Sequence, residues 1–373
     1  MPSAARPLNP SEKLDWLRLI RSENVGPVTF YQLLARYGSA AAALDALPEL
    51  ARRAGRRHPL IVCTRATAER EFHAVEAAGA RLVAWGELDY PAPLASVEDA
   101  PPLLSLCGDA AVLQRPAIAV VGARNASANG RRLARDMALQ LGARGLVVIS
   151  GLARGIDAAA HQGALPTGTI AVLAGGVDIV YPQENRELHE LIGERGALLA
   201  EMPVGTEPQA RHFPRRNRII SGASLGVLVV EAALRSGSLI TARFALEQGR
   251  GVFAVPGSPL DPRCRGTNDL IRNGATLTES ADDIVAEIEP QLGSAVAPGL
   301  HAPPEQPGVA AGPAELAGAL ARIVEHLSPA PIPVDALIRE CALPAALVNA
   351  VLLDLELAGR IERQPGQRVA LTG

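Results

Sequence analysis

The chain reads as an α/β protein built on an extended Rossmann-like parallel sheet, with a helical module before it and a winged-helix module after it. Three features predict this. Between 115 and 289, six short apolar runs alternate with glycine turns and helical patterns. Before them lies a helical pattern punctuated by glycines, and after them a Pro/Gly/Ala-rich stretch leads into three helices and a hairpin. At 373 residues the chain exceeds one compact module, given a prior of about 150 residues per domain. The expected division is a helical SAM-like or helix-hairpin-helix domain plus connector at 1–105, the core at 106–289, a linker at 290–313 and the winged helix at 314–373.

The first module opens with Ser11 as a candidate N-cap, followed by Leu14, Leu17 and Leu19–Ile20 at helical spacing. Gly26–Pro27 then opens a second helix that Gly38 closes. Such a turn can offer backbone N–H groups to a phosphate, though Pro27 removes one donor, and a plain helical packing module fits the same pattern.

Core strands are expected at 117–121, 146–150, 169–174, 197–201, 226–230 and 251–255, because continuous apolar runs mark strands covered on both faces. Helices at 131–143 and 240–248 separate two of the pairs, so a doubly wound sheet is expected, with ligands at its C-terminal strand ends. Four loops belong to that rim: Gly122–Ala123–Arg124, the run from Ser150 through Gly151 and Arg154 to Gly155, Gly175–Gly176 with Tyr181–Pro182, and the run after Glu231. A glycine turn alone more often solves a backbone problem than binds a ligand. Arginine changes that balance. Arg211, Arg215, Arg216 and Arg218 crowd around Phe213–Pro214, and no carboxylate lies between Glu207 and Glu231. A phosphate track along the rim is therefore expected.

Composition excludes several chemistries. Lys13 is the only lysine, which rules out a Walker A loop. There is no HExxH and no CxxC, and no metal site, catalytic residue or cofactor is expected. The first strand lacks GxGxxG, which disfavours a dinucleotide. Net charge is −3, so any polyanion must be met locally: residues 1–86 and 115–220 are each +4, whereas 221–289 and 290–373 are each −3. With 11 aromatic residues, one or two stacked bases are plausible and a long stacking platform is not. No apolar run reaches the roughly 18 residues of a membrane span, the start carries no secretion signal, and a cytoplasmic protein without disulfides is expected.

Six blocks, in order, resemble the DNA-processing protein A (DprA/Smf) family: VVGAR (120–124), SGLARGIDAAAH (150–161), GGVDIVYP (175–182), FPRRNRIISG (213–222), VVEAALRSGSLITA (229–242) and FAVPG (253–257). The resemblance implies a core that binds single-stranded DNA, forms a homodimer around 268–274, protects incoming DNA and loads RecA recombinase during natural transformation. By position it implies a pocket of Gly122, Arg124, Ser150, Gly151, Arg154, Gly155, Arg211, Phe213, Arg215, Arg216, Asn217 and Arg218, with Gln183 and Arg186 after Tyr181–Pro182. Two departures stand out: Ala123 replaces a frequent hydroxyl residue, and Gln183 a frequent lysine, whose charge Arg186 would supply. A rival is a nucleotide-binding phosphoribohydrolase of the lysine-decarboxylase-like type. Its PGGxGTxxE loop is missing, since the comparable strand end runs Glu231–Ala232–Ala233–Leu234–Arg235–Ser236, and Glu231 there is more often a loop-ordering carboxylate than a base.

The last module is expected as helices at 315–327, 334–341 and 344–358 and a hairpin from 360 to 371. Its third helix would enter a major groove, yet it carries Asp354 and Glu356 and no basic residue before Arg360. That face should repel phosphate, which favours a protein contact over duplex binding by an Arg360, Arg363 and Arg368 wing.

Overall fold

The computed structural model describes residues 7–53, 56, 58–293, 313–364 and 366–372. Most of the expected linker, 294–312, lies outside the described residues. Two compact units result, one of Met1–Phe72 with His301–Gly373 and one of His73–Leu300.

The first unit begins with α1 (Pro10–Ile20), capped by Asn9 rather than the expected Ser11. Asn9 Oδ1 accepts from Glu12 N and Glu12 Oε2 accepts from Asn9 N, each at 2.9 Å. Pro10 occupies the first helical position, which its fixed φ favours, so Ser11 already lies inside the first turn. Helices α2 (Pro27–Tyr37), α3 (Ala40–Arg53) and α4 (Arg65–Ala77) follow, α2 opening at Gly26 and closing at Gly38 with φ 73°.

The second unit holds a nine-stranded sheet. It starts with β1 (Arg81–Ala84), the short α5 (Ala92–Ala95) and β2 (Leu103–Gly108). The core proper then runs β3 (Ala117–Val121), α6 (Ala128–Ala143), β4 (Val147–Ser150), α7 (Ile156–Ala164), β5 (Thr169–Leu173), α8 (Arg186–Arg195) and β6 (Ala197–Ala200). It continues with α9 (His212–Gly222), β7 (Gly226–Val229), α10 (Ser238–Glu247), β8 (Gly251–Ala254), α11 (Arg265–Arg272), β9 (Thr276–Leu277) and α12 (Ala281–Gly293). The strand order is β1-β2-β6-β5-β4-β3-β7-β8-β9. All pairings from β6 to β9 are parallel, whereas β2 runs antiparallel to both β1 and β6.

The six expected strands are present to within a residue. Along β3, Ala117, Ala119 and Val121 face one hydrophobic cluster and Ile118 and Val120 the other, which is why the run shows no polar alternation. Two strands depart from the expectation of a wholly helical start: β1 and β2 belong to the main sheet, and the boundary expected at 105 falls within β2. Winding reverses between β3 and β7, and the crevice such a reversal opens lies at the C-terminal strand ends.

The first unit is completed by α13 (Pro313–His326), β10 (Ile332–Pro333), α14 (Val334–Cys341), α15 (Ala345–Leu357), β11 (Ile361–Gln364) and β12 (Arg368–Leu371), the strands forming an antiparallel three-stranded sheet. This is winged-helix order. Helix α15 is buried nearly all round and packs on α13 and on α3 of the same unit. Glu356, the acidic residue expected to repel a groove, instead accepts a hydrogen bond from Thr29 Oγ1 and pairs with Arg363 Nε at 2.9 Å. Among the described residues, no single helix is long and apolar enough to cross a membrane.

Candidate nucleic-acid interface

The loops after β3, β4 and β5 meet over a cavity of about 380 Å³ at the C-terminal edge of the sheet. Arg124, Asn125, Gly151, Arg154, Phe213 and Arg216 line it, together with Tyr181 and Pro182. Its aromatic side is built by Phe213 on α9 and Tyr181 on the loop after β5, with ring centroids 5.8 Å apart. The Arg124 guanidinium lies 4.9 Å from the Phe213 ring centre, a cation–π distance that leaves its donors available.

Arg216 has a different role. It is 6% exposed, and Nη1 donates to the carbonyls of Gly151 and of Val172, the latter at 2.6 Å. Burial pulls its pKa down to about 10, against the opposing pull of Asp157, so it remains charged at neutral pH. Asp157 is buried and accepts from Gly151 N at 3.2 Å and Ala153 N at 3.4 Å. Burial pushes its carboxyl upward, with Arg216 opposing. Arg216 thus ties the β4–α7 loop to β5, and Asp157 ties it to the start of α7. Gly151 is required there, since a Cβ would overlap the Arg216 guanidinium. Asn185 Nδ2 adds a third tie, donating to Leu152 O at 2.9 Å.

Other expected residues divide into exposed and internal groups. Arg211 and Arg215 are exposed and make no ion pair among the described residues. Arg154 is exposed and pairs with Glu184 at 2.6 Å, a surface contact that a phosphate can displace. Arg186 Nη2 donates to Gln183 Oε1 at 2.8 Å, holding both exposed beside Tyr181–Pro182.

Arg218 is not part of the rim. It is 4% exposed, with Nη2 on Glu201 Oε1 at 2.6 Å and Nη1 on Asp99 O at 2.5 Å. Burial works against its charge, but Glu201 and Asp99 outweigh it and hold the guanidinium above its ordinary pKa. Its acids come from the residue after β6 and from the loop before β2, out of view of any local scan. Asn217 is also buried, donating to Gly237 O at 3.3 Å, and Ser150 Oγ donates to Val120 O at 2.6 Å, so neither presents its side chain to the cavity. Gly122 and Gly155 lie outside the lining and let neighbouring backbone close up: at Gly155, with φ 76°, a Cβ would overlap Ala123 O.

Sequence reading undervalued Asp157, Asn185 and the aromatic contribution of Tyr181. Asp157, spaced six residues after Gly151, was visible within the motif, but nothing local revealed a buried arginine opposite. At the winding reversal itself, Glu231 Oε2 accepts from Ser127 N at 2.9 Å and Oε1 from Ser127 Oγ at 2.6 Å. An internal carboxylate thus occupies the start of α6, where a dinucleotide fold receives pyrophosphate.

Fold and site together define a doubly wound α/β protein with an arginine-rimmed, aromatic-sided cavity beside the reversal point, flanked by helix-hairpin-helix and winged-helix modules. Residues 81–289 match the family model for DNA recombination-mediator protein A, residues 10–74 that for the DprA-like N-terminal HHH domain, and residues 304–367 that for the DprA winged helix domain. The chain belongs to the DNA recombination-mediator protein A family. It is 41% identical to Protein Smf of Escherichia coli (strain K12) over 288 residues, 76% of this chain and 75% of that one. The DNA processing protein DprA of Streptococcus pneumoniae (strain ATCC BAA-255 / R6) is 46% identical over 202 residues, covering 54% of this chain and 71% of its own. Among solved structures, Streptococcus pneumoniae DprA superposes with TM-score 0.65 at 36% identity, over 76% of this chain and 99% of that one. A Helicobacter pylori DNA processing protein A, described for its single-stranded DNA binding mode, gives TM-score 0.52 at 26% identity over 57% and 98%.

Proposed function

We propose that this protein binds single-stranded DNA along the rim and acts without covalent chemistry. Arg124, Arg154, Arg186, Arg211 and Arg215 grip successive phosphates, and a base rests against Phe213 and Tyr181. The observation that carries this is the Arg124–Phe213–Tyr181 group, a guanidinium over one ring with the second ring tilted against it, opening onto a cavity of about 380 Å³, within the roughly 300–1,000 Å³ of small-ligand sites. Buried Arg216 and Asp157 act beneath it, fixing the loops. The single-stranded DNA named for the Helicobacter pylori structure supports the same class of ligand.

We further infer that a homodimer, formed through the core, protects incoming strands and passes them to RecA recombinase in transformation and recombination. Two rims on one particle would raise avidity through effective concentration. Exposed Leu260 and Leu277, at the β8–β9 end of the sheet, support a partner surface there. A phosphoribohydrolase is disfavoured because Glu231, the carboxylate nearest to its motif position, is engaged by Ser127.

Fluorescent oligonucleotides, single- and double-stranded, titrated against wild type and Arg124→Ala at several salt concentrations test the central claim. The variant should bind single strands more weakly, with a salt slope lower by roughly 0.7. Unchanged affinity and slope, or base release from nucleoside monophosphates by the wild type, would overturn it.

A further inference from the structure

We propose that Glu231 is a positioning residue for strand binding, holding the loop between β3 and α6 in the shape that presents Arg124. The inference rests on the rim being the single-stranded DNA site.

Glu231 is 7% exposed and follows β7, the strand beside β3. Its two carboxylate oxygens take the backbone N–H and the hydroxyl of Ser127, the residue that caps α6. Ser127 Oγ in turn accepts from Gly130 N at 2.9 Å. A Cβ on Gly130 would approach the Glu231 carboxyl carbon to 2.5 Å, so the glycine makes room for this acid inside the helix start. The helix dipole favours a negative charge there.

The other side of the loop is also clamped. Ile156 N donates to Ala123 O at 3.2 Å, and Arg131 Nη1 donates to Ala126 O at 2.7 Å. Between these ties only Arg124 and Asn125 stand exposed. Glu231 makes none of the cavity lining itself. Its carboxylate takes the place of a ligand phosphate and sets the direction of Arg124. With the helix start thus filled, the strand site lies to one side, over β3, β4 and β5.

The test is a double-mutant cycle on the full chain, read by fluorescence anisotropy with an oligothymidylate at several salt concentrations and by thermal unfolding. Glu231→Ala should weaken binding by roughly tenfold, the weight of about 1.4 kcal/mol in one charge-assisted contact, and lower the salt slope by roughly 0.7. Glu231→Gln, whose amide oxygen can still accept from Ser127 N, should recover part of both. Combined with Arg124→Ala, Glu231→Ala should add nothing further, because the two act through one contact. If Glu231→Ala does not fold, Ser127→Ala in the same cycle decides the matter. Additive effects, or a folded Glu231→Ala with wild-type affinity and slope, would overturn the positioning role while leaving the site intact. An Arg124→Ala chain that binds as wild type does would overturn the site and this role together.

Discussion

Four arginines within eight residues of α9 and its approach end up in three environments, because successive helical residues turn by about 100°. Arg211 and Arg215 stay in solvent, Arg216 lies beneath the cavity, and Arg218 turns inward to Glu201 and Asp99. The cluster was legible as a local excess of charge; which members face inward was not, since the acids that claim Arg218 lie 17 and 119 positions away. Arg218→Ala should therefore cost about 3 kcal/mol of stability by opening a void at a buried guanidinium and stranding two half-buried acids, with the salt slope for DNA unchanged in whatever remains folded. Arg215→Ala should do the reverse, lowering the slope by roughly 0.7 without moving the unfolding midpoint. Thermal scans run beside salt titrations distinguish the two. His161 gives a pH signature from the same buried layer. Thr169 Oγ1 donates to Val148 O at 2.8 Å and so accepts from His161 Nδ1 at 2.7 Å, leaving Nε2 a buried acceptor. Burial lowers the imidazole pKa from its ordinary 6.5 to about 3. The unfolded chain thus binds a proton that the folded one refuses. The stability this group contributes is full above pH 6.5 and is lost as pH falls towards 3, by up to about 1.4 kcal/mol per pH unit. His161→Gln should flatten that acid limb in denaturant titrations at pH 6, 5 and 4; an unchanged slope would place the acid sensitivity elsewhere.

Among elements, the parallel strands were the most legible, because a strand covered on both faces is apolar at every position and glycine marks its end. β1 and β2 were not, for reasons their sequences explain. β1 has four residues, and β2 is an apolar run between Pro102 and Gly108 that a buried helix segment would match equally. The antiparallel pairing of β2 to β6 depends on a partner about ninety residues further along the chain. The loops were legible as a rim but not in their internal ties. Gly155 illustrates the difference: a glycine between β4 and α7 is ordinary, but its φ of 76° and the backbone of Ala123 and Arg124 against it make it a contact between two loops of the site. Gly155→Ala should cost about 1–3 kcal/mol from backbone strain and displace the Arg124 loop, so affinity for single strands should fall along with the unfolding midpoint. A variant less stable but undiminished in binding would show that the two loops move independently.

Across the whole molecule, the acidic face of the third winged-helix segment was legible as a poor match to a phosphate-lined groove, whereas the surface that covers it was not. That surface lies some 300 residues earlier, in the helix-hairpin-helix module of the same unit. Asn24 Nδ2 donates to Leu357 O at 3.5 Å, Arg56 Nη1 to the same carbonyl at 3.3 Å, and Thr29 Oγ1 to Glu356 near the start of α2. Glu356 is 7% exposed, its carboxyl pushed upward by burial against the pull of Arg363 and Thr29. Removing it strands Arg363 in a site with almost no water, at a cost of about 3–5 kcal/mol. Because α2 and α15 share that carboxylate, Glu356→Ala should loosen both ends of the chain at once. Hydrogen exchange on the 373-residue chain reads this directly. Amides in residues 26–37 and in 345–364 should lose protection together, while those of β3, β4 and β5 keep theirs. Loss confined to 345–364 would mean that the winged helix only rests on its neighbour and that the two terminal modules are stable independently.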